Sequence, residues 1–309
     1  MMPEENIYHI PALLEETVDL LQIKPDGVYV DCTFGGGGHS RAILEKLGPE
    51  GRLFGFDRDM DAFANAPDDP RFTFIHGDFR YITNWMEYYS VEKVDGILAD
   101  LGVSFHHFDT PERGFSFRTD SPLDMRMNQS GNVSAKTIIN SKSEEELQEI
   151  FRKYTDLRNT YAIAKAISIA RREKAIETTG QLAEIVEPVL NPKSYKKELA
   201  QVFQALRIVT NEEMTALETL LESSLKVLKR TGRIAILTYH SGEDRIVKDF
   251  FKTGSLTPRQ DRDALIYGTP QTPWKLITKN PIVATEDEVA ENPRSRSAKL
   301  RVGELVKKA

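Results

Sequence analysis

Asp31-Cys32-Thr33-Phe34-Gly35-Gly36-Gly37-Gly38-His39 is the stretch whose reading decides the fold. Before it, Val28-Tyr29-Val30 is a short apolar run of strand type. After it, Ser40 to Leu47 has helical spacing (Ala42, Ile43, Leu47) and stops at Gly48-Pro49. A glycine bend between strand and helix lets a ligand approach the backbone with no Cβ in the way. Working outward, Leu53-Phe54-Gly55-Phe56 is a second strand ending in Asp57. Phe72-Thr73-Phe74-Ile75 is a third, ending near His76-Gly77-Asp78, and Val94 to Leu98 a fourth, ending at Ala99-Asp100. Four successive strands thus carry an acid at or just past the carboxyl end, the edge where open α/β sheets bind ligands.

Past Asp100 the strand rhythm stops. Residues 105–135 are polar and punctuated by Gly and Pro, with Phe108, Phe115 and Phe117 among them. Helices are expected next. Ser143 with Glu146 and Thr178 with Gln181 have the spacing of capping boxes, and residues 160–172 and 198–208 are helical by period. The α/β pattern resumes with an amphipathic stretch from Asn211 to Lys229 and a fifth strand, Ile234 to Tyr239. Ser241 stands where it would cap the following helix, and Leu276-Ile277-Thr278 with Ala298 to Leu305 suggest a final strand pair. The pattern predicts an α/β fold with a mostly parallel sheet, interrupted by an all-helical insertion. The core is expected over 1–108 and 210–309, the insertion over 109–209.

The chain has 309 residues, 40% hydrophobic and 28% charged, in the range of soluble globular proteins. Its one cysteine, Cys32, excludes an intrachain disulfide and a cysteine-based zinc cluster, which fits a reducing, cytoplasmic setting. No metal site is expected. Met1 to Pro11 lacks the basic and apolar regions of a secretory signal, and no stretch approaches the roughly 20 apolar residues of a membrane span. Net charge is −6, yet residues 151–210 hold eleven Lys/Arg against six Asp/Glu. That local excess is either a solvated helical face or an RNA-facing surface.

Asp57, nineteen residues beyond Gly38, is placed to accept hydrogen bonds from a ribose diol. Dehydrogenases and methyltransferases share that feature. Ser40 stands where the dinucleotide fingerprint G-x-G-x-x-G begun at Gly35 needs Gly or Ala, and the Gly-Lys-Ser/Thr of a Walker A loop is absent. Asp100-Leu101-Gly102-Val103-Ser104 ends strand four without the Pro-Pro pair of many amine methyltransferases.

Long strings then carry a resemblance from end to end. They are His9-Ile10-Pro11-Ala12-Leu13-Leu14, the glycine loop with His39-Ser40-Arg41, Phe56-Asp57-Arg58-Asp59, Ile75-His76-Gly77-Asp78-Phe79 and Asp100 to Ser104. Glu112 to Phe117, Pro122 to Met127, Phe203 to Arg207, His240 to Lys248 and Glu291 to Ser297 continue it. The chain resembles the bacterial 16S ribosomal RNA (cytosine-N4)-methyltransferases, the RsmH or MraW family. The resemblance implies a Rossmann-like S-adenosylmethionine-dependent methyltransferase core interrupted by a helical substrate-recognition domain. The implied reaction is N4-methylation of a cytidine in the decoding region of 16S ribosomal RNA, with the small subunit as partner. Monomer and dimer stay open.

For the cofactor, the loop contributes Asp31 and Gly35, and the resemblance implies contacts from Gly37, Gly38 and His39 to its methionine part. It gives Asp57 to the ribose, and Phe79 and Asp100 to the adenine side or the sulfonium neighbourhood. His107 stands where the family usually has Gln, and Gly242 where relatives carry a larger apolar residue. A carboxylate that accepts an N–H of the cytosine amine aids transfer; Asp100 is the candidate, with His240 or Asp244 as alternatives. Arg113, Arg118 and Arg126 with Phe115 and Phe117 either grip phosphates and stack a flipped base or form an aromatic cluster with surface arginines. Lys193, Tyr195, Lys196 and Lys197 are either an RNA-contacting edge or an exposed loop. Arg294, Arg296, Lys299 and Arg301 invite the same two readings.

Overall fold

Strands β1 (Val28–Asp31), β2 (Arg52–Asp57), β3 (Phe72–His76), β4 (Val94–Asp100) and β5 (Leu228–Thr238) are joined by parallel pairings. Strands β6 (Trp274–Leu276) and β7 (Ile282–Val283) pair antiparallel with β8 (Lys299–Leu305), and β8 pairs antiparallel with β5. The order across the sheet is β3-β2-β1-β4-β5-β8-β6, with β7 beside β8. This computed structural model describes residues 11–103, 108, 110–257 and 272–306.

The chain divides into two compact units, residues 1–102 with 214–309, and residues 103–213. The sequence suggested 109 and 209 as the ends of the inserted unit; the compact unit runs from 103 to 213. The first unit is a Rossmann-like sheet with helices. Every residue of β4 except Asp100 is buried, as parallel strands covered on both faces require. One apolar cluster joins Val30, Phe54, Ile75, Ile97 and Ile236 to Leu217, Leu221 and Phe250. Another joins Tyr29, Leu53, Leu98 and Leu237 to Leu13, Val18 and Ile43. The helix Gly38–Lys46 follows the glycine bend directly. The helix Ser241–Thr253 is capped not by Ser241 but by His240, whose ring accepts from the Glu243 amide while Glu243 answers with its own carboxylate. The expected terminal pair is formed by β6 and β8, but β6 covers Trp274–Leu276 and shares only Leu276 with the expected Leu276 to Thr278; β7 is additional.

In the second unit the described residues form helices at Ala135–Ser141, Glu144–Tyr154, Thr160–Glu173, Thr179–Val186 and Tyr195–Thr210, plus short 3-10 turns and one isolated bridge, Pro122 to Thr178. Ser143/Glu146 and Thr178/Gln181 both close capping boxes, and Ser134/Thr137 adds a third. Leu147, Phe151, Ile163, Ile167, Leu182, Val202 and Leu206 make its core. Among the described residues no helix is long and apolar enough to cross a membrane.

Candidate active site

The sheet order reverses between β1 and β4, and the carboxyl ends of strands at such a reversal are where open α/β sheets bind ligands. The bend after β1 is pinned to both neighbouring strand ends. Towards β4, the Cys32 amide donates to Leu98 O at 2.8 Å, and the Asp100 amide to Thr33 Oγ1 at 2.7 Å. Towards β2, the Phe34 amide donates to Phe56 O, and the Gly35 amide to Asp57 Oδ2, both at 2.8 Å. Gly37 adopts φ 74°, in the left-handed region, and a Cβ there would stand 2.8 Å from the Phe34 ring. From outside, Asn65 Nδ2 donates to Gly35 O at 3.0 Å and Arg41 to Gly36 O at 2.5 Å. The loop is therefore fixed by its own neighbours.

Three carboxyls, Asp31, Asp57 and Asp100, thus stand at the tips of adjacent strands. Asp57 accepts the amides of Gly35 and of Asp59, each at 2.8 Å. Asp31 is 1% exposed and accepts the Ser40 hydroxyl at 2.7 Å and the Thr33 amide at 3.0 Å. Burial pushes it up to about 6 against those hydrogen bonds. Asp100 is pushed up to about 7, by burial first and also by the charges of Asp31 and Glu243, while the Tyr239 hydroxyl at 2.7 Å holds it down. Its side chain keeps 22% exposure, so solvent still reaches it.

His39 Nδ1 lies 3.9 Å from Asp100 Oδ2. The ring is buried, burial lowers its pKa to about 4, and among the described residues its Nε2 has no hydrogen-bond partner. A neutral imidazole therefore offers no counter-charge to Asp31 and Asp100, whose hydrogen-bond partners are uncharged. Such a set of acceptors suits a ligand that carries a diol and a positive centre better than one that carries a pyrophosphate. An adenosine with a sulfonium and an ammonium fits it.

The other catalytic candidates are otherwise engaged. His240 Nδ1 accepts the Glu243 amide at 3.4 Å as a helix cap, and its Nε2 stands 3.1 Å from Glu243 Oε1. Asp244 is gripped by Arg301 at 2.6 and 3.2 Å, with Lys299 at 3.7 Å. Burial raises its pKa, but the Arg301 bonds and the nearby Lys299 and Lys248 outweigh that and leave it below the ordinary range. It is an ion-pair partner and a poor base. Arg301, 6% exposed, is spent on the same pair rather than on an RNA edge. Phe79 is buried at the start of the turn after Asp78, with the Arg58 guanidinium 5.8 Å from its ring centre. His107 and Ser104 lie outside the described residues, as do His9 and Ile10.

In residues 103–213 the candidates separate by burial. Arg113 is 4% exposed and donates to Arg126 O and Met127 O, both at 3.0 Å. Phe115 is buried in the helical core, and Phe117 packs on Phe203 with ring centres 5.2 Å apart. Arg126 pairs with Asp124 at 2.6 Å and donates to Gly131 O. These residues build the unit; buried Phe115 presents no face for a base to stack on. Arg118, Lys193, Lys196 and Lys197 are exposed.

The residues that sequence reasoning passed over are Tyr239, Glu243, Ser40 and Thr33. Ser40 had a signal, since it breaks the dinucleotide fingerprint, and its hydroxyl is the donor to Asp31. Tyr239 had none beyond closing a strand.

Comparison with known proteins follows the same line. The model of the MraW methylase family matches residues 6–306. A protein of Bacteroides fragilis (strain YCH46) named ribosomal RNA small subunit methyltransferase H is 51% identical over 304 residues, covering 98% of this chain and 99% of its own. One of the same name from Parabacteroides distasonis is 50% identical over 307 residues, covering 99% and 100%. Another, from Amoebophilus asiaticus, is 52% identical over 299 residues, covering 96% of each.

Proposed function

The chain belongs to the MraW methylase family, and from that premise we propose that it methylates the N4 amine of a cytidine in the decoding region of 16S ribosomal RNA, in the cytoplasm, with S-adenosylmethionine as donor. The observation that carries this reading is the meeting of three strand-tip carboxyls with a glycine bend at the switch point of the sheet. The cofactor, when bound, supplies an electrophilic methyl on a sulfonium. The bend from Gly35 to Gly38 receives its methionine part, Asp57 takes the ribose hydroxyls, and Asp31 and Asp100 offset positive charge. His39 and Phe79 complete the walls.

The cytosine amine is a poor nucleophile because its lone pair is shared with the ring. Holding it in line supplies most of the acceleration, on the order of 7–11 kcal/mol. Asp100 adds to this by accepting an N–H, which returns the lone pair to nitrogen, and by receiving the proton as transfer completes. Only the ionised carboxylate does so; with its pKa near 7 the rate rises with pH across neutrality. Arg118, Lys193, Lys196 and Lys197 are assigned to phosphates, with the assembled small subunit as the substrate particle.

The test is transfer of labelled methyl to small subunits from cells that lack the enzyme, followed by nucleoside analysis. N4-methylcytidine is expected; label in another nucleoside overturns the assignment.

A further inference from the structure

Asp100 is placed by more than its own strand. Its Oδ1 accepts the Tyr239 hydroxyl at 2.7 Å, and the main chain of Tyr239 is tied in turn to the next helix, its amide donating to Glu243 Oε2 at 2.9 Å. Glu243 is 2% exposed, receives the His240 amide as well, and answers the His240 cap. A continuous line thus runs from the first turn of Ser241–Thr253 through Tyr239 to the tip of β4. Near the other oxygen, Oδ2, stands the buried ring of His39, its Nδ1 at 3.9 Å.

We propose that Tyr239 is a positioning residue for methyl transfer: its hydroxyl occupies one oxygen of Asp100 and turns the other towards the amine, so that Oδ2 takes the proton. The inference rests on the assignment of Asp100 as proton acceptor. As nitrogen gains the methyl, one N–H bond breaks, an O–H bond forms at Oδ2, and the carboxyl becomes neutral while its second oxygen keeps the tyrosine bond.

Every group that faces Asp100 bears on its ionisation. Asp31 on β1 and Glu243 on the helix oppose it through their charge, and His39 is neutral. The Thr33 hydroxyl accepts the Asp100 amide and leaves the carboxyl alone. The Tyr239 hydroxyl is the hydrogen bond that favours the ionised form, and with its own ionisation pushed well above the usual value by burial, and further by Asp100, it stays a donor.

The variant is Tyr239→Phe in the full chain, with unmethylated small subunits and S-adenosylmethionine as substrates. Its kcat/KM profile should keep the wild-type shape, with the acid limb moved up by about one pH unit. That is a loss of about fivefold at neutral pH that closes as the medium becomes alkaline. In protein without cofactor, the ¹³C titration of the Asp100 carboxyl should move the same way. Tyr239→Phe should also add nothing to Asp100→Asn, as expected of groups that act as a unit. A uniform loss at all pH with an unmoved carboxyl titration, or additive losses in the double variant, overturns the inference. If Asp100→Asn retains activity, the proton-acceptor reading falls instead, and the carboxyl titration still reports on the tyrosine bond.

Discussion

Strand β4 carries an aspartate near each end, Asp95 buried and Asp100 partly so, and the two behave oppositely. Asp95, at the amino end, has a side chain 4% exposed and accepts Lys229 Nζ at 2.7 Å, the Val28 amide at 3.0 Å and Lys24 Nζ at 3.2 Å. Burial raises its pKa, but those three partners outweigh burial and leave it below the ordinary carboxylate range. Asp100, at the carboxyl end, has uncharged hydrogen-bond partners and is pushed up to about 7, chiefly by burial. Burial alone does not mark a site. An acid buried with its cations is a fastening; an acid buried without one is held ready for a positive ligand or a proton.

The largest break of this comparison is Asp100→Asn. Single-turnover methyl transfer with saturating cofactor should fall by about 10²–10⁴-fold, with the fold unchanged by circular dichroism. Near-normal transfer would place the chemistry elsewhere. Asp95→Ala should do the reverse. Because Lys24 and Lys229 are about half exposed, the loss in a denaturant titration should be about 1–3 kcal/mol, with kcat nearly unchanged at a permissive temperature.

A smaller effect sharpens the same contrast through pH. The folded pKa of Asp100 lies near 7 against an ordinary 3.8, so folding pulls a proton onto it. The cost to stability is absent below 3.8, grows as pH rises, and is complete above 7. Asp100→Asn should therefore melt above wild type in mildly alkaline buffer and lose that advantage in acid. An equal offset at every pH would contradict the raised value. His39 titrates with the opposite sign, since its folded pKa near 4 lies below the ordinary 6.5 and stability is lost as pH falls between them.

The smallest effect asks whether committed and uncommitted charge differ in the helical unit too. Lys196→Ala or Lys197→Ala should weaken binding to small subunits and reduce the slope of log K against log salt by about 0.7–0.9 per lysine. Arg113→Ala should leave that slope alone and lower the stability of the unit, because its guanidinium is spent on main-chain carbonyls. An equal change of slope in all three would erase the distinction.

Much of this was legible in the chain itself. Apolar runs ending in Asp31, Asp57 and Asp100 gave the strands and the ligand-binding edge, because strand period and glycine bends are local properties. Capping boxes gave the helix starts after Ser143 and Thr178 for the same reason. What a charged residue does with its charge was decided only by tertiary structure. Arg113, Asp244 and Arg301 look in sequence like Arg118 and Asp100, yet their partners stand up to 57 residues away. Tyr239 meets Asp100 across 139 residues of chain, where β4 and β5 run side by side. Sequence spacing specifies where an acid stands on its strand; the three-dimensional neighbours determine whether it has a cation to hold, and so whether it fastens or reacts.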